Sequence, residues 1–286
     1  MWAVLTVGML MAVAAAVCVG NRGRRRLAVA LATAALPLPF LFPADPPLAR
    51  FIAAVGACWG LVRVAEIGRH GFPCLSRRLW RTFAAFDTRD VERVSPGWRW
   101  DLVLGGGVHA LLGAIGLLAA AGAEERTATG MVLRWAGGAL AVYGLAGGIA
   151  DLVRAAYALG GLQVPPIQRH PIAARSLREF WGERWNRVVG TWLRRSIYLP
   201  LARRGRPAVA LLATFLVSAA LHLYMTLAAT TWLMGALMFA FFVAQGMLTL
   251  LESRVPARAR RGWALGGLVV TSPLFVEPML RVIFPA

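Results

Sequence analysis

One histidine lies deep inside a long apolar segment of the chain. His222 falls within residues 208–229, and Thr214, Ser218 and Thr226 recur around it at intervals of four residues. In a helix these side chains would form a single polar stripe. Burial disfavours the charged imidazolium, so the ring is expected to be neutral and able to accept a proton from a hydroxyl group. General-base catalysis of this kind typically contributes about 10²–10⁴-fold to a rate.

The polar stripe also has a purely structural interpretation. His222 would then hydrogen-bond to a neighbouring helix, while the Ser and Thr hydroxyls bond back to carbonyls one turn earlier in their own helix. Ionisable side chains at membrane depth are rare and usually face a cavity or a transport pathway. That general observation favours a functional role for His222.

A second segment, Ser176 to Arg195, combines tryptophans with polar residues. Ser176 and Glu179 have the spacing of a capping box, which predicts that a helix begins there. The periodicity predicts one amphipathic helix, lying at the membrane interface or re-entering the protein core. One predicted face carries Leu177, Trp181, Trp185, Val188 and Trp192, and the opposite face carries Glu179, Glu183, Asn186, Gly190 and Arg194.

The composition indicates which elements position these side chains. Of the 286 residues, 58% are hydrophobic and 15% are charged, whereas soluble domains are about 45–50% apolar. A membrane-spanning helix needs about 20 apolar residues. We therefore predict an all-α polytopic membrane protein, with residues 1–286 as a single membrane-embedded domain and about eight transmembrane helices. The apolar runs are 2–20, 27–43, 51–67, 102–121, 131–150, 208–229, 232–251 and 263–283.

The charge pattern predicts the orientation of these helices. The net charge is +18 at pH 7, and the arginines cluster after the first, third, fifth and seventh apolar runs. Arg-rich loops stay cytoplasmic, so a multi-pass protein of the cell membrane with both termini outside is expected. The long loop that contains the amphipathic segment would be cytoplasmic. Because the charge is spread between apolar runs, it indicates membrane topology and not a nucleic-acid partner.

The run Ser176 to Asn186, followed by Ser218-Ala219-Ala220-Leu221-His222 inside a predicted span, resembles the wax-synthase-like branch of the membrane-bound O-acyltransferase superfamily. The resemblance covers residues 176–226, the motif core. In that superfamily a polar residue, commonly Asn, ends an aromatic-rich segment, and an essential His follows within a membrane helix. The resemblance therefore implies that Asn186 and His222 form the active-site pair.

The activity implied by the resemblance is transfer of a fatty acyl group from acyl-CoA to the hydroxyl of a lipid-like alcohol. His222 would act as the general base, and Asn186 would orient the substrate or stabilise the developing oxyanion. No bound cofactor and no metal are implied; acyl-CoA is a co-substrate, the hydroxyl acceptor and membrane lipids are the other partners, and the oligomeric state stays open. Supporting roles fall to Ser218, Trp181, Trp185 and Glu179, and contacts with the CoA phosphates to Arg184, Arg187 and Arg194.

Two alternatives remain open at this point. The polar stripe of the sixth predicted span could line a pathway in a small transporter or export channel, although that class usually has further intramembrane charges and an internal repeat. The chain could also be a catalytically inactive scaffold that keeps the acyltransferase fold. The arginines of the long loop could also reflect only the general excess of Arg in cytoplasmic loops, without binding phosphate.

Overall fold

The computed structural model describes residues 2–43, 46–70, 74–84 and 90–285. Within these ranges the chain is mostly helical. The α-helices, numbered in chain order, are α1 Trp2–Cys18, α2 Arg25–Ala34, α3 Pro47–His70, α4 Leu75–Phe83, α5 Trp100–Ala121, α6 Ala128–Leu159, α7 Leu177–Glu179, α8 Arg187–Leu193, α9 Leu199–Ala202, α10 Pro207–Ala229, α11 Trp232–Leu251 and α12 Arg260–Ile283.

Six helical segments of the described chain are long and apolar enough to cross a membrane. This confirms the prediction of an all-α polytopic membrane protein, but it does not confirm the count of about eight spans. The last two segments include short 3-10 turns beside α11 and α12. The six segments are Pro47–Arg69, Trp100–Ala121, Ala128–Leu159, Pro207–Ala229, Trp232–Arg254 and Ala257–Ile283.

The difference in the count lies in the N-terminal region. The helix α1 has 17 residues. The predicted span 27–43 is divided, because α2 ends at Ala34 and a separate 3-10 turn follows at Leu38–Leu41. Pro37 and Pro39 lack the N–H donors that a continuous helix would need. At about 1.5 Å per residue, the ten residues of α2 are too short to cross a hydrocarbon core of about 30 Å.

The helices form two compact units. The first unit comprises the described residues within Met1–Thr88, together with Leu221–Gly235 and Arg281–Ala286. Its core is formed by buried aliphatic side chains of α1, α2, α3 and the residue that follows α1: Ala15, Val19, Ala28, Ala32, Val64 and Ile67.

The first unit contains a buried ion pair, Arg63 with Glu66. Arg63 is only 4% exposed, and its Nη1 lies 2.9 Å from Oε2 of Glu66. The Arg63 guanidinium also lies over the ring of Trp59, at 4.2 Å from its centroid. These partners offset the cost of placing a charge in an apolar unit. Arg63 and Glu66 therefore have a structural role.

The second unit comprises Arg89–Ala220 and Ala236–Leu280. Its largest helical pair is the α5–α6 hairpin, in which glycines allow the backbones to approach closely, as small residues do in membrane helices. A Cβ atom at Gly137 would lie only 2.8 Å from both the Ala120 nitrogen and the Gly116 oxygen. Two short antiparallel strands, β1 Glu92–Arg93 and β2 Leu162–Gln163, flank the hairpin, with Glu92 opposite Gln163. The expectation of one membrane domain over residues 1–286 stays a prediction.

Candidate functional site

The start of the tryptophan-rich segment follows the sequence prediction. Ser176 has an extended backbone, and its Oγ accepts a hydrogen bond from the Glu179 N–H at 3.0 Å. This confirms the first half of the capping box. The second half differs, because the Glu179 carboxylate accepts from the N–H of Arg175 at 2.7 Å, one residue earlier than the usual partner.

A buried glutamate from the 3-10 turn directly after α11 completes this helix start. Glu252 is 1% exposed, and its two carboxylate oxygens accept from the backbone N–H groups of Leu177 at 2.6 Å and Arg178 at 3.2 Å. The first N–H groups of a helix have no partner within the helix, and a negative charge there is favourable. Sequence reasoning missed Glu252; the available signal was an acidic residue directly after an apolar run.

Trp181 attaches the segment to the helices of the second unit. Its indole N–H donates to Oε1 of Gln245 at 3.0 Å, and Gln245, which is completely buried, donates through Nε2 to Thr271 Oγ1 at 2.8 Å. The Trp181 ring also packs against three phenylalanines whose centroids lie 5.8–6.1 Å away: Phe215, Phe241 and Phe242. Trp181 therefore faces the protein core, as the amphipathic pattern predicted.

Replacing Trp181 with phenylalanine tests this attachment. The Gln245 oxygen would lose its donor in a buried site, and we expect the free energy of unfolding to fall by about 1–3 kcal/mol. Thermal unfolding of the purified protein in detergent measures the change. Trp232→Phe is the matched control, since Trp232 is 65% exposed; an equal loss in both variants would contradict a specific role for the Gln245 bond.

The prediction of one continuous amphipathic helix from Ser176 to Arg195 is wrong. Residues Phe180–Arg184 form a π-helical turn, Trp185 is extended, and Asn186 adopts a left-handed backbone conformation with φ 38°. A new helix, α8, then begins at Arg187. A π-turn holds one more residue than an α-turn and is frequent at functional sites. The predicted stripe of Trp and Val side chains is therefore interrupted after Trp181.

Asn186 makes this break possible. Asn is one of the few residues other than Gly that tolerate the left-handed region. Its Oδ1 accepts from the Val189 N–H at 3.4 Å, which caps α8, and its backbone N–H donates to Oε1 of Gln168 at 3.0 Å. Among the described residues, the side-chain Nδ2 of Asn186 has no hydrogen-bond partner. One donor of the amide is thus available to a ligand.

The arginines near the break hold two chain segments together. Arg184 pairs with Glu179, with Nε 2.7 Å from Oε1, and its Nη1 donates to the carbonyls of Arg169 and His170. Arg187 donates to the carbonyl of Pro166 at 3.0 Å. The hydrogen bond from the Arg175 N–H, followed by the interaction with Arg184, lowers the pKa of Glu179. Arg194 is exposed. Binding of CoA phosphates by these arginines stays a prediction.

A cavity of about 490 Å³, lined in part by polar side chains, lies beside the segments that these arginines hold together. In its wall, Nδ1 of His109 is 3.2 Å from Oδ2 of Asp151, and Arg154 donates to the other oxygen of Asp151 at 3.2 Å. Trp185 and His170 also line the cavity. His109 of α5 contacts Asp151 and Tyr143 of α6, so it also joins these two helices. The cavity itself was not foreseen, because residues distant in sequence form it.

His222 lies in α10 and is half-buried. Along the stripe, Ser218 and Thr226 are 7% and 1% exposed. Thr214 bonds back to the Ala210 carbonyl at 2.7 Å, which is the structural alternative considered for this position. Two residues after His222, the Tyr224 hydroxyl donates to the Leu36 carbonyl at 2.6 Å, within the first unit.

The structure brings most predicted site residues into the second unit. This unit contains the tryptophan-rich segment Ser176 to Arg195, in which the helix breaks at Asn186. His222 belongs to the first unit, so its pairing with Asn186 stays a prediction. The predicted residues in the second unit are Glu179, Trp181, Arg184, Trp185, Asn186, Arg187, Arg194 and Ser218.

Comparison with known proteins identifies a family that part of the chain matches. Residues 134–272 match the membrane-bound O-acyltransferase family (MBOAT). The matched range begins in α6 and ends in α12. It includes the tryptophan-rich segment and the phenylalanines that contact Trp181. It also includes Glu252 and His222. The N-terminal helices α1 to α4 lie outside it.

Curated relatives carry acyltransferase names. Probable long-chain-alcohol O-fatty-acyltransferase 2 of Arabidopsis thaliana is 33% identical over 143 residues, covering 42% of this chain and 40% of that protein. Long-chain-alcohol O-fatty-acyltransferase of Simmondsia chinensis is 35% identical over 104 residues, 32% of this chain and 28% of its own length. Acyl-CoA–sterol O-acyltransferase 1 of Arabidopsis thaliana is 29% identical over 126 residues, 40% and 35% of the two chains.

The chain spans about two fifths of the length of the first two of the plant proteins it matches. The similarity is therefore partial in extent, and it falls on the elements that carry the predicted motif core. Residues 134–272 therefore match the membrane-bound O-acyltransferase family, and the chain is similar there to its wax-synthase-like members.

Proposed function

We propose that this protein is an acyl-CoA-dependent O-acyltransferase that forms an ester from a fatty acyl-CoA and a lipid-like alcohol. The observation that carries the proposal is a half-buried histidine on a spanning helix, inside the part of the chain that matches the family. The names of the plant relatives support a long-chain alcohol as the acceptor. No bound cofactor or metal is part of the proposal.

In the proposed reaction His222 accepts the proton of the acceptor hydroxyl, whose oxygen attacks the thioester carbonyl. The tetrahedral intermediate then collapses, the C–S bond breaks, and the departing CoA sulfur receives the proton from the imidazolium. The protein never becomes acylated. Ser218, one helical turn before His222, would fix the imidazole tautomer. Holding both substrates together away from water contributes the rest of the acceleration.

Asn186 would serve the same step through its free amide donor. The Oδ1 atom is engaged in capping α8, whereas Nδ2 can donate to the oxyanion that develops on the thioester carbonyl. One such donor is worth about 10²–10³-fold in turnover in comparable sites. The positive φ of Asn186 is consistent with strain that a functional position retains.

Asn186→Asp separates this role from the structural one. Aspartate keeps an oxygen that can cap α8 and tolerates the left-handed conformation, but its carboxylate cannot donate. We expect turnover to fall about 10²–10³-fold with little change in the thermal unfolding temperature. Asn186→Ala is the comparison, since it should lose both stability and activity. Full activity in the Asp variant would contradict the oxyanion role.

The membrane orientation is part of the proposal. The Arg-rich loops would lie in the cytoplasm, where acyl-CoA is soluble, and both termini would lie outside. Six crossings would place both termini on the same side, but they would leave Arg24, Arg25 and Arg26 outside, so a cytoplasmic place for every Arg-rich loop requires eight crossings. A count of eight would need α1 and the divided region of α2 to cross as well.

A panel of acceptors tests the function itself. Membranes containing the protein would be incubated with radiolabelled palmitoyl-CoA and separate alcohols, namely hexadecanol, octanol, a sterol and diacylglycerol. We expect labelled ester with hexadecanol, which thin-layer chromatography detects, and none in membranes without the protein. An absence of ester with every acceptor would favour the transporter or the inactive scaffold.

A further inference from the structure

The first unit contains an apolar cavity that the family match does not cover. Its volume is about 580 Å³, and it lies among α1, α2, α3, α4 and the 3-10 turn at Leu38–Leu41. Alanines and glycines form about half of its wall, and larger apolar side chains form nearly all of the rest. The residues that bear on its chemistry are Ala53, Gly56, Trp59, Gly60, Thr82 and Phe83.

The described wall is mostly apolar, and its polar side chains already have partners within the protein. Trp59 and Thr82 carry its only polar side-chain groups, and both are already engaged with the protein. The Trp59 indole N–H donates to the Ala84 carbonyl at 3.0 Å, and the Thr82 hydroxyl donates to the Arg78 carbonyl at 2.9 Å. A ligand of this cavity therefore gains its affinity from apolar contact, as a hydrocarbon chain does.

The glycines of α3 keep the cavity open. Gly56 and Gly60 are one helical turn apart, a spacing that often lets two membrane helices pack closely. Here no helix occupies that place, because a Cβ atom at either glycine would meet no atom within 4 Å. The missing side chains therefore leave space for a ligand. An apolar space along a helix can hold an alkyl chain.

The cavity and His222 share the first unit. Ala35, Leu38 and Pro39 line the cavity, and Leu36, between them in sequence, accepts the hydrogen bond from Tyr224, two residues after His222. Phe40 also packs edge-on against the Tyr224 ring, at 6.2 Å between centroids. One short turn thus contributes to the cavity wall and holds the part of α10 that carries the proposed base.

We propose that this cavity binds the unbranched alkyl chain of the acceptor alcohol. The assignment rests on the proposed function, in which His222 takes the proton from that alcohol; the base and the apolar cavity lie in the same unit, whereas the arginines predicted to meet CoA lie in the other. Each methylene buried there contributes about fourfold to binding. The cavity would thereby favour long alcohols over short ones.

Gly60→Leu tests the assignment by filling the cavity. Leucine raises helix propensity over glycine and meets open space, so folding should be retained. We expect kcat/KM for hexadecanol, relative to octanol, to fall about tenfold or more, while preference for acyl-CoA chain length stays unchanged. Gly107→Leu is the matched control, since Gly107 is an exposed helical glycine in α5 with nothing within 4 Å of an added Cβ.

The possible outcomes separate this inference from the proposed function. A change in acyl-CoA chain-length preference would indicate that the cavity binds the acyl chain of the donor. No change in the preference for alcohol or for acyl-CoA length would indicate that bilayer lipid fills it. Both results overturn the proposal. A second readout does not need turnover: a hexadecanol analogue with a tail diazirine should label peptides of α3 in the purified protein. Unchanged labelling in Gly60→Leu overturns the proposal even if no ester is ever formed.

Discussion

His222→Gln is expected to lower the rate of ester formation by at least about 10²-fold, because glutamine keeps a polar side chain of similar size but cannot accept the proton. The loss should fall on kcat, with KM for acyl-CoA little changed, since the imidazole acts on the acceptor hydroxyl in the transition state. Initial rates with labelled palmitoyl-CoA and hexadecanol measure both constants. Thermal unfolding shows whether the variant is folded.

Thr214→Val provides the matched control for this substitution. Thr214 lies two turns before His222 in the same stripe, and its hydroxyl is bonded to the Ala210 carbonyl of its own helix. Removing that hydroxyl should leave turnover unchanged, because the helix does not depend on it. If His222→Gln retained the parental rate while folding normally, general-base catalysis by this residue would be disproved.

Glu252→Ala is expected to have the largest effect on stability. The substitution removes the acceptor of a buried backbone N–H group at Leu177 and a partly buried one at Arg178, and an unsatisfied buried donor costs about 1–3 kcal/mol. We expect the free energy of unfolding to fall by about 2–5 kcal/mol. Activity should fall with it, because the start of the Trp181 segment loses its attachment to α11. Denaturation followed by circular dichroism measures the loss.

Glu252→Gln is the conservative variant for this prediction, and Glu183→Ala is its control. Glutamine keeps one oxygen that can accept from the Leu177 N–H, so the free energy of unfolding should fall by an intermediate amount. Glu183 is an exposed acidic residue of the same segment, and its removal should change stability by less than about 0.5 kcal/mol. A loss at Glu183 as large as that at Glu252 would indicate a general charge effect instead of two specific hydrogen bonds.

The membrane helices and the start of the motif segment could be predicted from local sequence. Apolar length determines a spanning helix, and the Ser176 hydroxyl bonds to the N–H three residues on, a contact that spacing alone predicts. The polar stripe of α10 could also be predicted, because its side chains recur every four residues within one helix. These features depend on residues within one or two turns of one another, which a single sequence displays directly.

Features set by distant residues could not be predicted. The helix breaks at Asn186 where the chain is held by Gln168, Arg184 and their backbone partners, and local helical periodicity does not record that competition. Glu252 and Leu177 are 75 residues apart, so neither reveals the other. The apolar cavity was likewise hidden, because Pro37 and Pro39 divide a run that hydropathy alone treats as a span.

The most direct measurement of the central claim is a product balance on the purified protein in detergent or nanodiscs. With palmitoyl-CoA and hexadecanol, the account predicts one palmitoyl ester formed for each free CoA thiol released, no radiolabel retained on the protein, and neither product above background with His222→Gln. Thiol release without ester, stable labelling of the protein, or unchanged product formation by the variant would contradict it.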